Sequence, residues 1–186
     1  MKGFTLVETL VAVTIITLAV AGPMVTAGRA ITAARISRDQ LTASYLAQEG
    51  VEYVRAMRDN EYLAAYEVGG PDVSTVAWDN FLNTAINQCR TETCTLDPSK
   101  EMDSGPDMAL EPCSAGSCSR LNLTPLLGGG DGYTQQGGTA TRFTRTVQAV
   151  DVDVSANEVR VVSQVSWNDH EVPYFVTVST HLTPWQ

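Results

Sequence analysis

Hydrophobic and polar positions fall into three regimes along the chain. From Thr9 to Gly28, 20 consecutive residues carry no charge, and Leu10, Val11, Val13, Ile15, Ile16, Leu18, Val20 and Val25 make the run strongly apolar. A bilayer core takes about 20 such residues in a helix, whereas core helices of small domains seldom run so far without a charge. The segment reads as a membrane span. From Arg29 to Asn60 the helix formers continue in Ala33-Ala34-Arg35 and Tyr45-Leu46-Ala47-Gln48-Glu49, and Leu46, Gly50, Tyr53, Val54 and Met57 recur at helical spacing. That stripe is expected to pack on a sheet. One helix of roughly 55 residues would be about 80 Å long, more than a domain of this size can cover. Its first half therefore needs a membrane, or neighbouring helices, around it. Gly22-Pro23 and Gly28 are expected to kink or locally open the helix, because proline removes a backbone bond and clashes with the preceding turn.

The second regime, Glu67 to about Thr141, is rich in Gly, Pro, Ser and Asp, with one short helix expected between Ser74 and Gln88 around Trp78, Phe81, Leu82 and Ile86. Its glycine runs, Gly128-Gly129-Gly130-Asp131-Gly132 and Gln136-Gly137-Gly138, are not phosphate loops: no strand precedes the first and no Lys-Ser/Thr follows. The third regime alternates with period two. Phe143, Arg145, Val147 and Ala149 alternate with Thr144, Thr146, Gln148 and Val150. Val159, Val161, Ser163, Val165 and Trp167 follow the same rule, and a third run covers Tyr174 to Leu182. Joined through Ser155-Ala156-Asn157-Glu158 and Asn168-Asp169-His170-Glu171, these predict an antiparallel three-stranded meander with one face on the long helix. The fold class is α+β.

Composition sharpens this division. The 186 residues hold 12 Lys plus Arg against 21 Asp plus Glu, a formal charge of -9. Up to Arg38 the balance is 4 - 1 = +3, and the remainder carries 8 - 20 = -12. So acidic a body, without clustered cations, is not built to coat nucleic acid, and no nucleic-acid partner is expected. The apolar run admits three readings: a cleaved secretory signal ending near Ala19-Val20-Ala21 or Thr26-Ala27-Gly28, a permanent anchor, or a helix retained after removal of a short leader. Against the secretory signal stand a basic start of Lys2 alone, Pro23 just past the first candidate cut, and Glu8 at the head of the apolar run. A carboxylate in a hydrocarbon-seeking helix costs roughly 2.5–3.5 kcal/mol near the bilayer centre, so it marks function.

The opening Met1-Lys2-Gly3-Phe4-Thr5-Leu6-Val7-Glu8 resembles the type IV prepilin signature, a short basic leader ending in Gly before Phe-Thr-Leu-Val-Glu. The resemblance implies that a prepilin peptidase cuts between Gly3 and Phe4 and methylates the new amino terminus on Phe4, leaving the apolar helix attached. It also implies that Phe4 and Glu8 act in assembly, the Glu8 carboxylate meeting the amine of a neighbouring subunit inside an apolar filament core. A lone buried charge is costly, and pairing it rewards docking in one register. The expected organisation is a leader over 1–3, a transmembrane or filament-core helix over 4–28, an amphipathic continuation over 29–60, a loop-rich insert with four Cys over 61–141, and an antiparallel sheet over 142–186. The sheet ending, with Val-Ser-Trp and Leu-Thr-x-Trp, is similar to that of minor pilins and pseudopilins. A structural subunit without catalytic activity is thus expected, in a type IV pilus or a related secretion or DNA-uptake filament; the alternative is a membrane-anchored or secreted extracellular binding domain whose N-terminus only mimics the signature. The subunit's partners would be other pilin subunits, prepilin peptidase, the cytoplasmic membrane and the pilus assembly machinery. Its location would be first a single-pass precursor with the C-terminal body outside, then a cell-surface filament. Arg29, Arg35 and Arg38 after the span oppose the positive-inside tendency; the motif is taken over that statistical bias.

Cys89-x4-Cys94 and Cys113-x4-Cys118 form two similar pairs. Outside the cytoplasm disulfides are expected; a four-thiolate zinc site is the rival, its spacing at the edge of the usual range. Four cysteines allow three connectivities, with local pairing the slight favourite. Asp151-x-Asp153-x-Ser155-x-Asn157 imitates the start of a calcium loop but has Ala156 where Gly is needed and Val162 where the bidentate Glu belongs. His170 and His181 stand without a nucleophile to serve. No metal site and no cofactor are expected.

Overall fold

The computed structural model describes residues 3, 5–102, 108–114, 117–125, 129–153 and 157–184. The chain divides into two compact units, Met1–Gln40 and Leu41–Gln186. One helix, α1 (Leu6–Val68), supplies residues to both.

Within the first unit α1 exposes Leu6, Val7, Leu10, Val11, Val13, Ile15, Ile16, Leu18, Val20, Met24 and Val25. The stretch is long and apolar enough to cross a membrane, and none of it is buried inside the molecule. Its threonines show how polar side chains are carried there: Thr9 donates to the Leu6 carbonyl at 2.8 Å, Thr14 to Val11 at 2.8 Å and Thr17 to Val13 at 3.0 Å. A hydroxyl bonded to its own helix leaves no donor unsatisfied in hydrocarbon. The expected opening at Pro23 does not interrupt α1, which remains helical through Gly22, Pro23 and Gly28. Just beyond, the Thr26 hydroxyl donates to the Gly22 and Pro23 carbonyls at 3.3 and 2.9 Å.

The second unit begins with the amphipathic half of α1. Ala43, Leu46, Ala47, Gly50, Val51, Val54 and Met57 are buried at steps of three and four, the stripe of a helix covering one surface. α1 does not stop at Asn60. Glu61-Tyr62-Leu63-Ala64-Ala65-Tyr66-Glu67-Val68 holds good helix formers and no breaker, and the chain turns only at Gly69 and Gly70, whose φ values of 73° and 143° suit glycine. After it come α2 (Val73–Asn80), a π-helical turn (Phe81–Ala85) and α3 (Asn87–Thr91), where the sequence pattern promised one short helix.

The main sheet has five strands rather than three. β1 (Cys94–Leu96) and β2 (Leu110–Pro112) come from the stretch expected to be loops; β6 (Thr144–Asp153), β7 (Glu158–Asp169) and β8 (Val172–Leu182) are the expected meander, and the order is β2-β1-β6-β7-β8, antiparallel at each pairing. A second small sheet, β4-β3-β5, is made by β3 (Asn122–Pro125), β4 (Asp131–Thr134) and β5 (Thr139–Ala140). β1 and β2 escape the periodicity because three residues cannot show an alternation.

The long strands obey their pattern closely. Phe143, Arg145, Val147, Ala149, Val159, Val161, Ser163, Val165 and Trp167 all point inward and are buried. Val54 and Met57 of α1 pack with Val147, Ala149, Val159 and Val161, joined by Trp78, Phe81 and Ile86. A second cluster joins Ala43, Leu46 and Ala47 to Leu121, Phe143, Val165 and Trp167. Each Val, Leu, Met or Phe so buried contributes about 1.5–3 kcal/mol, which holds the amphipathic half of α1 on the sheet.

Candidate functional site

The amino-terminal site is built on the first turn of α1. Thr5 precedes the helix, and the Glu8 backbone N–H reaches the Thr5 carbonyl at 3.1 Å and its Oγ1 at 3.4 Å. Thr-x-x-Glu is the capping-box pattern, in which a hydroxyl receives an otherwise orphaned N–H of the first turn. Glu8 is the acidic residue of that turn, where the positive end of the helix favours it, and its side chain is exposed at the head of the apolar run. Gly3 lies in open space: a Cβ built there meets nothing within 4 Å. Packing within this chain therefore makes no demand for glycine at position 3. Phe4, the expected methylated residue, lies outside the described residues.

In the second unit the sequence pattern hides a polar centre. Arg145 occupies an inward position of β6 and is wholly buried. Its guanidinium donates to the Glu49 carboxylate at 2.5 Å and the Leu46 carbonyl at 3.3 Å, both on α1, and to the Leu96 carbonyl of β1 at 2.9 Å. One side chain thus joins helix, central strand and a short flanking strand. Burial pushes the Arg145 pKa down, and the Glu49 carboxylate opposes that shift. Beside it, burial and the nearby Asp97 carboxylate push the Tyr53 phenol up; its hydroxyl donates to the Lys100 carbonyl at 3.0 Å. Asp97 in turn accepts from Ser99 and from the Gln135 backbone N–H, which links the small sheet to the large one. Gly50 lies against β7 so closely that a Cβ there would stand 2.4 Å from Ser163 Oγ and 3.2 Å from its Cβ, and Ser163 would have to shift to admit it.

The four cysteines are paired as neighbours. Cys89 at the end of the helical stretch is bridged to Cys94 of β1 with Cα atoms 5.4 Å apart, and Cys113 to Cys118 with 4.7 Å. Cys89 and Cys94 lie in the main core. Each bridge closes a short loop, and the first fixes α3 to the strand that receives Arg145.

The remaining candidates stay apart. His170 is exposed on the β7–β8 turn beside Asp169, and His181 on β8 meets Glu158 at the start of the neighbouring β7. Of the calcium-like run, Ser155 and Ala156 lie outside the described residues, as do the side chains of Asp151 and Asp153. No group of three His, Cys, Asp or Glu among the described residues is placed to hold a metal. Sequence reasoning overlooked Thr5 and Arg145. The first was legible as Thr-x-x-Glu, the second as a charge in an inward register.

A family model, the prokaryotic N-terminal methylation motif, matches residues 1–22. No curated protein and no solved structure matches the chain.

Proposed function

We propose, from its methylation motif, long apolar helix and C-terminal sheet, that the chain is a type IV pilin-like protein, a non-catalytic subunit of a type IV pilus or a related secretion or DNA-uptake filament, of the minor pilin or pseudopilin kind. The motif supports processing by prepilin peptidase at Gly3-Phe4. What carries the reading is the conjunction at one helix end: the methylation motif, a carboxylate at Glu8, and an apolar surface behind it that the chain itself leaves uncovered.

The mechanism follows from solvation. In the membrane the apolar half of α1 is covered by lipid, with the second unit outside. Moving into a filament exchanges lipid for neighbouring helices, so little hydrophobic free energy separates the two states. The charge pair then supplies selectivity. Removing residues 1–3 takes away Lys2, leaving a side-chain charge of -9 - 1 = -10, and creates an amine on Phe4 that a neighbour's Glu8 can meet away from water. A carboxylate left unpaired there is costly, so wrong registers are rejected.

The test is Glu8→Ala in cells that assemble filaments. Processing should be unchanged while the chain's share in sheared filaments falls at least tenfold; equal incorporation would overturn the role given to Glu8.

A further inference from the structure

The outer face of the main sheet carries a second site. A cleft of about 270 Å³ is lined by Arg120, Arg142, Thr144, Ser166, Trp167 and Asn168, all within the second unit. The backbone explains why two guanidiniums meet there. Leu121 and Phe143 are buried, so the residues beside them point outward. The Leu121 N–H donates to the Phe143 carbonyl at 2.8 Å and the Thr141 N–H to the Leu121 carbonyl at 2.9 Å, which sets Arg120 and Arg142 side by side. Thr144 pairs with Ser166 and Ser166 with Phe175, so a hydroxyl, a hydroxyl and a phenyl ring form one row across β6, β7 and β8 on that face. Phe175 is 68% exposed, an apolar ring held in water beside the cleft.

Charge arithmetic makes the cleft unusual. From Leu41 onward this acidic body has eight cations, Arg55, Arg58, Arg90, Lys100, Arg120, Arg142, Arg145 and Arg160, and two of them share it. Arg142 is ion-paired to the Asp169 carboxylate at 4.0 Å, and only 23% of the Asp169 side chain is exposed. The distant acidic surface repels anions weakly, because salt screens exposed charges beyond about 8 Å. At contact two guanidiniums stand against the one Asp169 carboxylate, which leaves the local balance positive.

We infer that this cleft binds an acidic saccharide, a sugar bearing one carboxylate. The guanidiniums present planar donor forks that match a carboxylate, Thr144, Ser166 and Asn168 supply donors and acceptors for ring hydroxyls, and Phe175 offers the apolar face on which a sugar ring can lie. A nucleic acid is the less suited ligand, since two cations and one ring give little of the charged track that a phosphate chain requires. The site stands independently of the filament reading.

The experiment uses the full chain in detergent micelles, with backbone amide NMR shifts followed on titration. Glucuronate should shift Thr144, Ser166 and Asn168, with an affinity at least tenfold above that for glucose. Arg120→Ala/Arg142→Ala should weaken glucuronate at least tenfold while the rest of the spectrum is preserved, both side chains being exposed. Phe175→Ala should weaken it several-fold. Four results would overturn the assignment: glucose binding as well as glucuronate, inorganic phosphate reproducing the same shifts at equal affinity, a single-stranded oligonucleotide binding the same residues more tightly, or no response of these amides.

Discussion

Arg145 shows how a single side chain can be both costly and organising. Taking its charge out of water costs several kcal/mol, and the Glu49 carboxylate with two carbonyls offsets that only while all are in place. Exposed ion pairs contribute about 0–1 kcal/mol. Glu49 is 43% exposed, yet its partner is wholly buried, so the cost of losing it falls on Arg145. Glu49→Ala should therefore destabilise the second unit by roughly 3 kcal/mol, and adding Arg145→Met should restore most of it. Denaturation of the full chain in detergent, read through the buried Trp78 and Trp167, checks both. Gly50 gives a second test. Gly50→Ala places a methyl group against Ser163 Oγ and should cost about 1–3 kcal/mol, whereas Gly50→Ala/Ser163→Gly removes the clash and should fall near the parent. At this scale the sequence was legible in part. Gly50 was visible as part of a helical stripe, but the need for glycine depends on Ser163, which is remote in sequence. Arg145 stands in an inward register of the alternating run, but its partners Leu46, Glu49 and Leu96 are remote in sequence.

The elements divide by length. α1 and β6 to β8 are long enough for their period to appear, and their buried faces are the ones that alternation and helical spacing indicate. β1, β2 and the second sheet are too short, and their places depend on pairing with distant strands rather than on local pattern. The cysteine spacing held more than could be extracted from it, because choosing among connectivities requires knowing that β1 runs beside α3. The β7–β8 hairpin closes with His170 and Glu171 at φ values of 46° and 69° between the paired Asp169 and Val172. Both central positions are left-handed, as a type I′ turn demands, and Asn-Gly is the usual solution. A non-glycine residue there costs about 1–2 kcal/mol. Glu171→Gly should thus raise stability by about 1 kcal/mol in the same denaturation experiment, with the register of β7 and β8 unchanged. The solvent-exposed turn leaves room for that change.

On the scale of the whole molecule, one chain is made for two environments. Residues of the first unit present an uncovered apolar surface, and the second unit has its own cores, two disulfides and the acidic surface. Of the amino-terminal site, the eight opening residues were the most legible part of the sequence, since a motif read by a processing enzyme is linear and needs no fold to be seen. Glycine at position 3 points the same way, since packing in this chain does not demand it. Mass spectrometry of the mature protein from its own cells addresses this most directly. A polypeptide beginning at N-methylated Phe4 is the outcome that a processed pilin-like subunit requires; an intact Met1, or a chain beginning at Gly22, would contradict it.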